Sequence, residues 1–275
     1  MLGNAVFHSL LNNRELTTFG TIRDRNALRH FTDKVHPQIL PNVDVLDQDS
    51  LVDIFRQTRP NMVINCIGLV KQFEQSKDPL LALPINAMLP HRLARLCELG
   101  NARLIHISTD CVFSGLRGMY TEDDISDATD LYGKSKYLGE LHDLCHAITL
   151  RTSIIGHGVV ANTSLIDWFL DQHNQVKGYE RAVFSGLPTV EFARVIRDYV
   201  IPHPELYGLY HVSAQPISKL HLLELVARIY DKQIDIMPDQ QLQIDRSLDS
   251  SRFKSAVEYT PPDWPELIRL MRDAR

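Results

Sequence analysis

Apolar positions along this chain follow two rhythms in alternation. From Asn4, the residues Val6, Phe7, Leu10 and Leu11 recur at helical spacing and stop at Asn12-Asn13, so a helix is predicted over 4–11. The run 17–22 reads as a strand, the charged turn Arg23-Asp24-Arg25 follows, and 26–34 is a short helix candidate. A strand over 39–43 comes next. Ser50 with Asp53 three residues on resembles a capping box, and Leu51, Ile54 and Phe55 supply the inward face of a helix ending before Pro60. The apolar stretch 62–67 is a strand buried on both faces. Ile85, Met88, Leu89, Leu93 and Leu96 place a helix over 84–99 that closes at Gly100, and 104–107 is another buried strand.

A helix over 131–145 and a strand over 147–150 complete the alternation. Strands buried on both faces and joined by helices define an α/β fold, a Rossmann-type doubly wound parallel sheet. Beyond Arg151 the pattern loosens into helices over 165–172, 190–200, 218–230 and 265–271, with strand candidates over 209–212 and 234–237. The expected organisation is a first domain over 1–155 and a smaller C-terminal α/β lobe over 156–275, some of whose segments return to the main sheet.

Composition narrows the classes. The 275 residues are 44% hydrophobic and 23% charged, with no apolar run long enough to span a membrane and no repeat, which excludes transmembrane, solenoid and disordered chains. A net charge of -5 with no basic stripe argues against nucleic acid and for a small ligand. Cys66, Cys97, Cys111 and Cys145 form no CxxC pair, so neither zinc nor a disulfide frame is indicated and a reducing compartment is expected. The 12 histidines show no HExxH or clustered His pattern, so no metal is expected.

The sharpest chemical signal is Tyr132 and Lys136, one helical turn apart and so on one helix face, with Ser108-Thr109 ending the strand that begins at Leu104. A phenol is too weak an acid to work at neutral pH, and a neighbouring ammonium lowers its pKa by favouring the phenolate. A Thr109 hydroxyl at the strand's carboxyl end could hold a substrate carbonyl where the phenol protonates it. The Tyr/Lys pair alone is equally an exposed helix contact. The independent Ser-Thr pair at the expected place favours catalysis.

Those residues carry a resemblance. The segments Ile107-Ser108-Thr109-Asp110-Cys111-Val112-Phe113-Ser114-Gly115, Tyr132-Gly133-Lys134-Ser135-Lys136-Tyr137-Leu138-Gly139-Glu140 and Leu150-Arg151-Thr152-Ser153 are similar to the extended short-chain dehydrogenase/reductases, specifically the dTDP-4-dehydrorhamnose reductase branch. Asn65-Cys66-Ile67-Gly68, Ile85-Asn86-Ala87 and Gly208-Leu209-Tyr210-His211-Val212 extend the likeness over nearly the whole chain. The resemblance implies an NADPH-dependent oxidoreductase that reduces the 4-keto group of a nucleotide-activated 6-deoxy sugar in polysaccharide or deoxysugar biosynthesis. Tyr132 would be the general acid, Lys136 its partner and ribose ligand, and Thr109 the carbonyl's hydrogen-bond donor. Gly3, Arg23, Asp44, Val45, Asn65, Ile67, Gly68, Asn86, Ser108, Thr152 and Ser153 would join Tyr132 and Lys136 around the cofactor. Lys71, Asp110, Val112, Phe113 and Arg246 would meet the substrate. The family setting implies a cytoplasmic enzyme with a nucleotide-sugar partner, no membrane or nucleic-acid partner, and a homodimer.

Cofactor choice has its own argument. NAD sites place an acid at the end of the second strand, whereas NADP sites use an arginine for the 2′-phosphate. Here the strand ends Gly20-Thr21-Ile22-Arg23, which favours NADPH over NADH, with Asp24 blurring the signal. Three relatives compete with a reductase. A 4,6-dehydratase needs further acid-base groups beside the threonine, and Cys111 is a poor one. An epimerase uses the same tyrosine. A regulatory subunit similar to the methionine adenosyltransferase beta subunit would bind cofactor and act through a partner.

The opening departs from the pattern. Met1-Leu2-Gly3-Asn4 resembles only the last quarter of the glycine-rich dinucleotide loop, so the first strand and two glycines have no counterpart. That strand is central, and its absence would leave its two neighbours facing a gap of roughly 10 Å. The expectation is weak NADPH binding and low stability for these residues alone, and recovery of both with a short upstream extension, read by cofactor-induced thermal shifts.

Overall fold

Leu2, Val6, Phe7 and Leu10 bury one stripe of the first helix, α1 (Leu2–Leu11). The computed structural model describes residues 1–71, 74–159 and 164–275. Strands β1 (Gly20–Thr21) and β2 (Ile39–Leu40) follow and pair in parallel, far shorter than the run 17–22 suggested. Between them the predicted helix over 26–34 is replaced by two 3-10 segments, Arg25–His30 and Asp33–Gln38. Pro37 lies inside the second, and without an N–H it cannot extend an α-helix. Helix α2 (Gln48–Thr58) starts earlier than the capping-box reading: the N-cap is Asp47, whose carboxylate accepts from the N–H groups of Asp49 and Ser50. Arg59 ends it at φ 42, in the left-handed region.

Strand β3 (Met62–Asn65) leads to α3 (Pro79–Ala82), a π-helical turn Leu83–Met88, and α4 (Leu89–Leu99). Strand β4 (Arg103–Thr109), helix α5 (Leu131–Leu138) and strand β5 (Ala147–Thr152) come next. Helix α5 stops well short of Cys145. At Gly139 a Cβ would stand 2.1 Å from the Asn86 carbonyl oxygen, so the chain passes tightly against the π turn there, and Glu140 then turns into the interior.

The second half contains β6 (Ile154–Ile155), α6 (Leu165–Asp171), β7 (Gln175–Tyr179), β8 (Ala182–Phe184), β9 (Leu187–Pro188) and α7 (Thr189–Val195), which runs into a π turn, Ile196–Val200. Then come β10 (Gly208–His211), β11 (Ile217–Ser218), α8 (Lys219–Ile229), β12 (Asp235–Asp239), β13 (Ile244–Asp245), α9 (Ser251–Val257) and α10 (Trp264–Asp273). Helix α9 was not anticipated from the pattern.

The main sheet has the order β10-β5-β4-β3, all parallel, and β1-β2 form a separate parallel pair. Among the described residues, none pairs with the second edge of β1 or of β3. One core unites α1, β4, β5, α7, α8 and α10, and a smaller one on the opposite face joins Leu51, Leu89, Leu93, Cys97 and Leu104. Smaller sheets, β11-β8-β13, β12-β7 and β6-β9, build the second half at the sheet's carboxyl side. Among the described residues, no helix is long and apolar enough to cross a membrane.

Candidate active site

Strand β4 ends at Thr109, and a 3-10 turn over Asp110–Val112 follows directly. The Thr109 hydroxyl accepts from the Cys111 N–H at 3.2 Å and donates to Asp110 Oδ1 at 3.1 Å. Facing it, α5 begins at Asp130, whose carboxylate accepts from the Gly133 N–H at 2.8 Å. Gly133 lets the helix come close: a Cβ there would lie 2.2 Å from the Cys111 carbonyl oxygen. This approach brings the Tyr132 phenol close enough to Thr109 for the threonine to act on its titration. The three residues singled out by spacing therefore do converge at the carboxyl end of β4.

Their electrostatics differ from the sequence reading in one respect. Burial raises the Tyr132 phenol above its ordinary value, Cys111 and Asp110 add to the rise, and Thr109 opposes it. Lys136, one turn along α5, is itself displaced from its ordinary value. Its ammonium donates to the Ile107 carbonyl at 2.8 Å, and burial lowers it to about 8, against the raising influence of Glu140 and Cys66. Removal from water disfavours the charged form of both groups, so burial moves the phenol up and the ammonium down, although at about 8 the ammonium is still mostly charged at neutral pH. Tyr132 consequently stays a protonated phenol at neutral pH, the form a proton donor needs.

Around this pair, Asn86 is fully buried at the π turn. It accepts from the Leu69 N–H at 2.9 Å and donates to the Ser135 hydroxyl at 3.2 Å, tying the loop after β3 to α5. Asn65 donates to His106 Nδ1 at 3.1 Å and accepts from the Ile67 N–H at 3.1 Å, which shapes the same loop. Gly68 leaves bare backbone beside them, since a Cβ there would be 3.3 Å from Asn86 Oδ1 and 3.9 Å from Lys136 Nζ. Arg23, Asp44, Val45, Ile67 and Gly68 line one cavity of about 240 Å³, together with Thr21 and Ile85. A small cleft with an arginine at its rim, opening onto a glycine beside Lys136, fits part of a dinucleotide. A cavity of about 1060 Å³ between α1, α7 and α10 contains none of the residues assigned to cofactor or substrate.

Other assigned residues are placed differently. Gly3 lies in α1 with its Cα face toward Cys66. The Ser108 hydroxyl is spent on Glu140 at 2.6 Å. Thr152 donates to the Ser153 carbonyl, and that carbonyl also receives the Leu187 N–H. Lys71 pairs with Asp130 at 2.5 Å, and Arg246 donates to the Phe113 carbonyl at 2.8 Å, so both reach the mouth of the site. Val112 and Phe113 do not offer side chains to a sugar. Both are fully buried, with Phe113 stacked on Tyr120 at 4.1 Å, because the tight turn after Thr109 rolls them into their own small core.

Two features escaped the sequence reading. Ser108, Arg151 and His211 stand in register across β4, β5 and β10, and Glu140 closes the row. Lys219 opens α8 and faces Asp110 and Cys111 with its charge. A signal for the second was present: a lysine at a helix start opposes the helix dipole, so some other interaction must hold it there.

The family model for the RmlD substrate binding domain matches residues 1–243. Methionine adenosyltransferase 2 subunit beta of Danio rerio is 30% identical over 228 residues, covering 78% of this chain and 66% of that protein. A dTDP-4-dehydrorhamnose reductase of Aggregatibacter actinomycetemcomitans is 23% identical over 262 residues, 84% of this chain and 86% of that one. Among solved structures, a Bacillus anthracis dTDP-4-dehydrorhamnose reductase in complex with NADP superposes with a TM-score of 0.77 at 20% identity, covering 94% of this chain and 100% of that chain. With the fold, the Tyr132/Lys136/Thr109 cluster and a family match over most of its length in agreement, the chain belongs to the RmlD substrate-binding-domain family, the dTDP-4-dehydrorhamnose reductase-like branch of the short-chain dehydrogenase/reductases.

Proposed function

We propose that the protein is an NADPH-dependent oxidoreductase that reduces the 4-keto group of a nucleotide-activated 6-deoxy sugar. The observation that carries the reading is that Tyr132 and Lys136, one turn apart on α5, stand beside Thr109 at the carboxyl end of β4, close enough for Thr109 to act on the phenol. Bound NADPH supplies the hydride. Tyr132 holds a proton at its Oη and releases it to the carbonyl oxygen as negative charge develops there. Thr109 Oγ1 steers that oxygen, and Lys136 is placed to turn from the Ile107 carbonyl toward a ribose hydroxyl beside Gly68. Arg23 and Asp44 meet the adenosine end, with Arg23 directed at a 2′-phosphate. Lys71, Asp110 and Arg246 surround the sugar side, where the turn after Thr109 contributes backbone rather than the side chains of Val112 and Phe113.

In this reading residues 1–155 hold the cofactor and 156–275 mainly form the substrate lobe, with β10 returning to the main sheet. A cytoplasmic setting and a homodimer belong to the same proposal; light scattering of the purified protein tests the second. The NADP complexes among the structural relatives support the choice of cofactor for the fold. The test is NADPH oxidation with a panel of 4-keto nucleotide sugars. Turnover of at least one supports the reading. NADPH binding without turnover of any would favour a non-catalytic subunit that acts through a partner; the Danio rerio relative is named as a subunit of methionine adenosyltransferase.

A further inference from the structure

Two cations stand on either side of the short strand β8, and neither has a counter-ion. Ser218 ends β11 and caps α8, so Lys219 opens that helix beside β8, while Arg246 follows β13 on the strand's other edge. Lys219 Nζ lies 3.8 Å from the centre of the Phe184 ring. That ring packs in turn on Trp264 at 5.5 Å, and Trp264 Nε1 donates to the Gln215 carbonyl just before β11. Arg246 is fixed by its Nε–H, which donates to the Phe113 carbonyl at 2.8 Å. Among the described residues, no hydrogen-bond acceptor or ion-pair partner meets the Lys219 ammonium or the two terminal nitrogens of Arg246. Lys71, by contrast, has Asp130.

Strand β8 ties both cations to the candidate site. Thr109 pairs in register with Thr152. The next residue, Ser153, is so close to Gly186 that a Cβ there would stand 2.3 Å from the Ser153 carbonyl oxygen. Phe184 lies two residues before Gly186, and Phe113 directly follows the turn after Thr109. In the reductase reading this is the substrate side, and the cleft lined by Arg23, Asp44 and Gly68 includes neither cation.

Resting on that reading and sharpening it, we propose that Lys219 and Arg246 clamp the diphosphate of the nucleotide-sugar substrate. An ammonium packed on an aromatic face is stripped of part of its water, and with no anion beside it, it gains from binding one. Burial lowers Lys219 to about 8, with Asp110 and Cys111 opposing the fall, so its charge is mostly present at neutral pH. Arg246 offers the complementary geometry. With Nε spent on a carbonyl, the guanidinium keeps its terminal N–H groups for the forked contact that phosphate oxygens fit. Two strand spacings separate the chains flanking β8 by roughly 10 Å, and both side chains are long enough to meet an anion between them. A diphosphate brings one charge on each phosphate, one for each cation, whereas a neutral sugar hydroxyl would leave both charges uncompensated.

The test uses the whole protein and three probes, dTDP, UDP and GDP, each titrated by calorimetry beside its own nucleoside. At least one diphosphate should bind more tightly than its nucleoside. Lys219→Met, which keeps an apolar stem on Phe184, should weaken that diphosphate by about tenfold or more, as should Arg246→Gln. The nucleoside and NADPH should bind Lys219→Met as they bind the wild type. Lys219→Arg should recover most of the affinity, and added salt should weaken the wild type more steeply than Lys219→Met. An unchanged diphosphate affinity in Lys219→Met would overturn the clamp, and so would equal losses in Lys219→Met and Lys219→Arg, or a loss confined to NADPH. Failure of all three diphosphates to bind better than their nucleosides would overturn it too. None of these measurements requires turnover: a wild type that binds a diphosphate through Lys219 but reduces no sugar would sink the reductase reading and leave a nucleoside-diphosphate site standing.

Discussion

Arg151 donates from Nε and Nη2 to the two carboxylate oxygens of Glu140, at 2.8 and 2.6 Å, with both side chains withdrawn from water. Arg151 sits on β5 and Glu140 just beyond α5, so this fork fastens the helix carrying Tyr132 and Lys136 to the sheet. Ser108 donates to the same carboxylate, and Arg151 Nη1 also contacts His211 Nε2 at 3.2 Å. The His211 Nδ1 proton is directed to the Tyr120 and Asp249 carbonyls, which leaves Nε2 to accept from the arginine.

Glu140→Gln should be costly. Removing one charge of a dry, hydrogen-bonded pair strands the other, at about 3–5 kcal/mol. Urea unfolding of the variant checks this. A loss below about 1 kcal/mol would mean that water reaches the pair.

Acid should weaken the fold in two steps. Burial and the Arg151 charge lower His211 to about 4, below the ordinary imidazole value, so the unfolded chain binds more protons between those limits. Stability is complete above about pH 6.5 and declines as pH falls toward about 4. Burial would raise Glu140, but its bonds from Arg151, His142 and Ser108 hold it below the usual carboxylate range, so a further loss follows at lower pH. Thermal melts across this range, repeated in His211→Gln, should show a smaller first loss in the variant; what remains comes from the buried His106, which burial also holds well below the ordinary imidazole value.

Tyr132→Phe should abolish turnover by a factor of roughly 10² to 10⁴ while keeping cofactor affinity, because only the proton donor is lost. Stopped-flow reduction and NADPH fluorescence titration separate the two quantities. Near-normal turnover would exclude Tyr132 as the acid.

Arg23→Ala should weaken NADPH by about tenfold or more and leave NADH almost unchanged, the loss of one charge-assisted phosphate contact. Equal losses for both cofactors would place Arg23 away from the 2′-phosphate.

The alternation of strands and helices was legible in the sequence because it rests on local periodicity, and so was the Tyr132/Lys136 pair, because helical spacing is itself local. Thr109 was legible as the last residue of a buried strand. Helix ends were read less well: α5 stops at Leu138 because Gly139 passes against the Asn86 carbonyl, a contact between distant segments. Val112 and Phe113 looked like sugar ligands by position, but the turn after Thr109 rolls them into a core with Tyr120 and Leu248. Ser108 looked like a cofactor residue until strand register set it beside Arg151.

The fold class, and Tyr132, Lys136 and Thr109 as candidates for one cluster, could be read from the sequence because both rest on periodicity and spacing within single stretches of chain. Tertiary packing set the partners of the buried charges: Arg151 meets Glu140, and Lys136 donates to the Ile107 carbonyl. Those relations depend on how strands pair and how much water is left between the side chains, and neither quantity is written in any single segment.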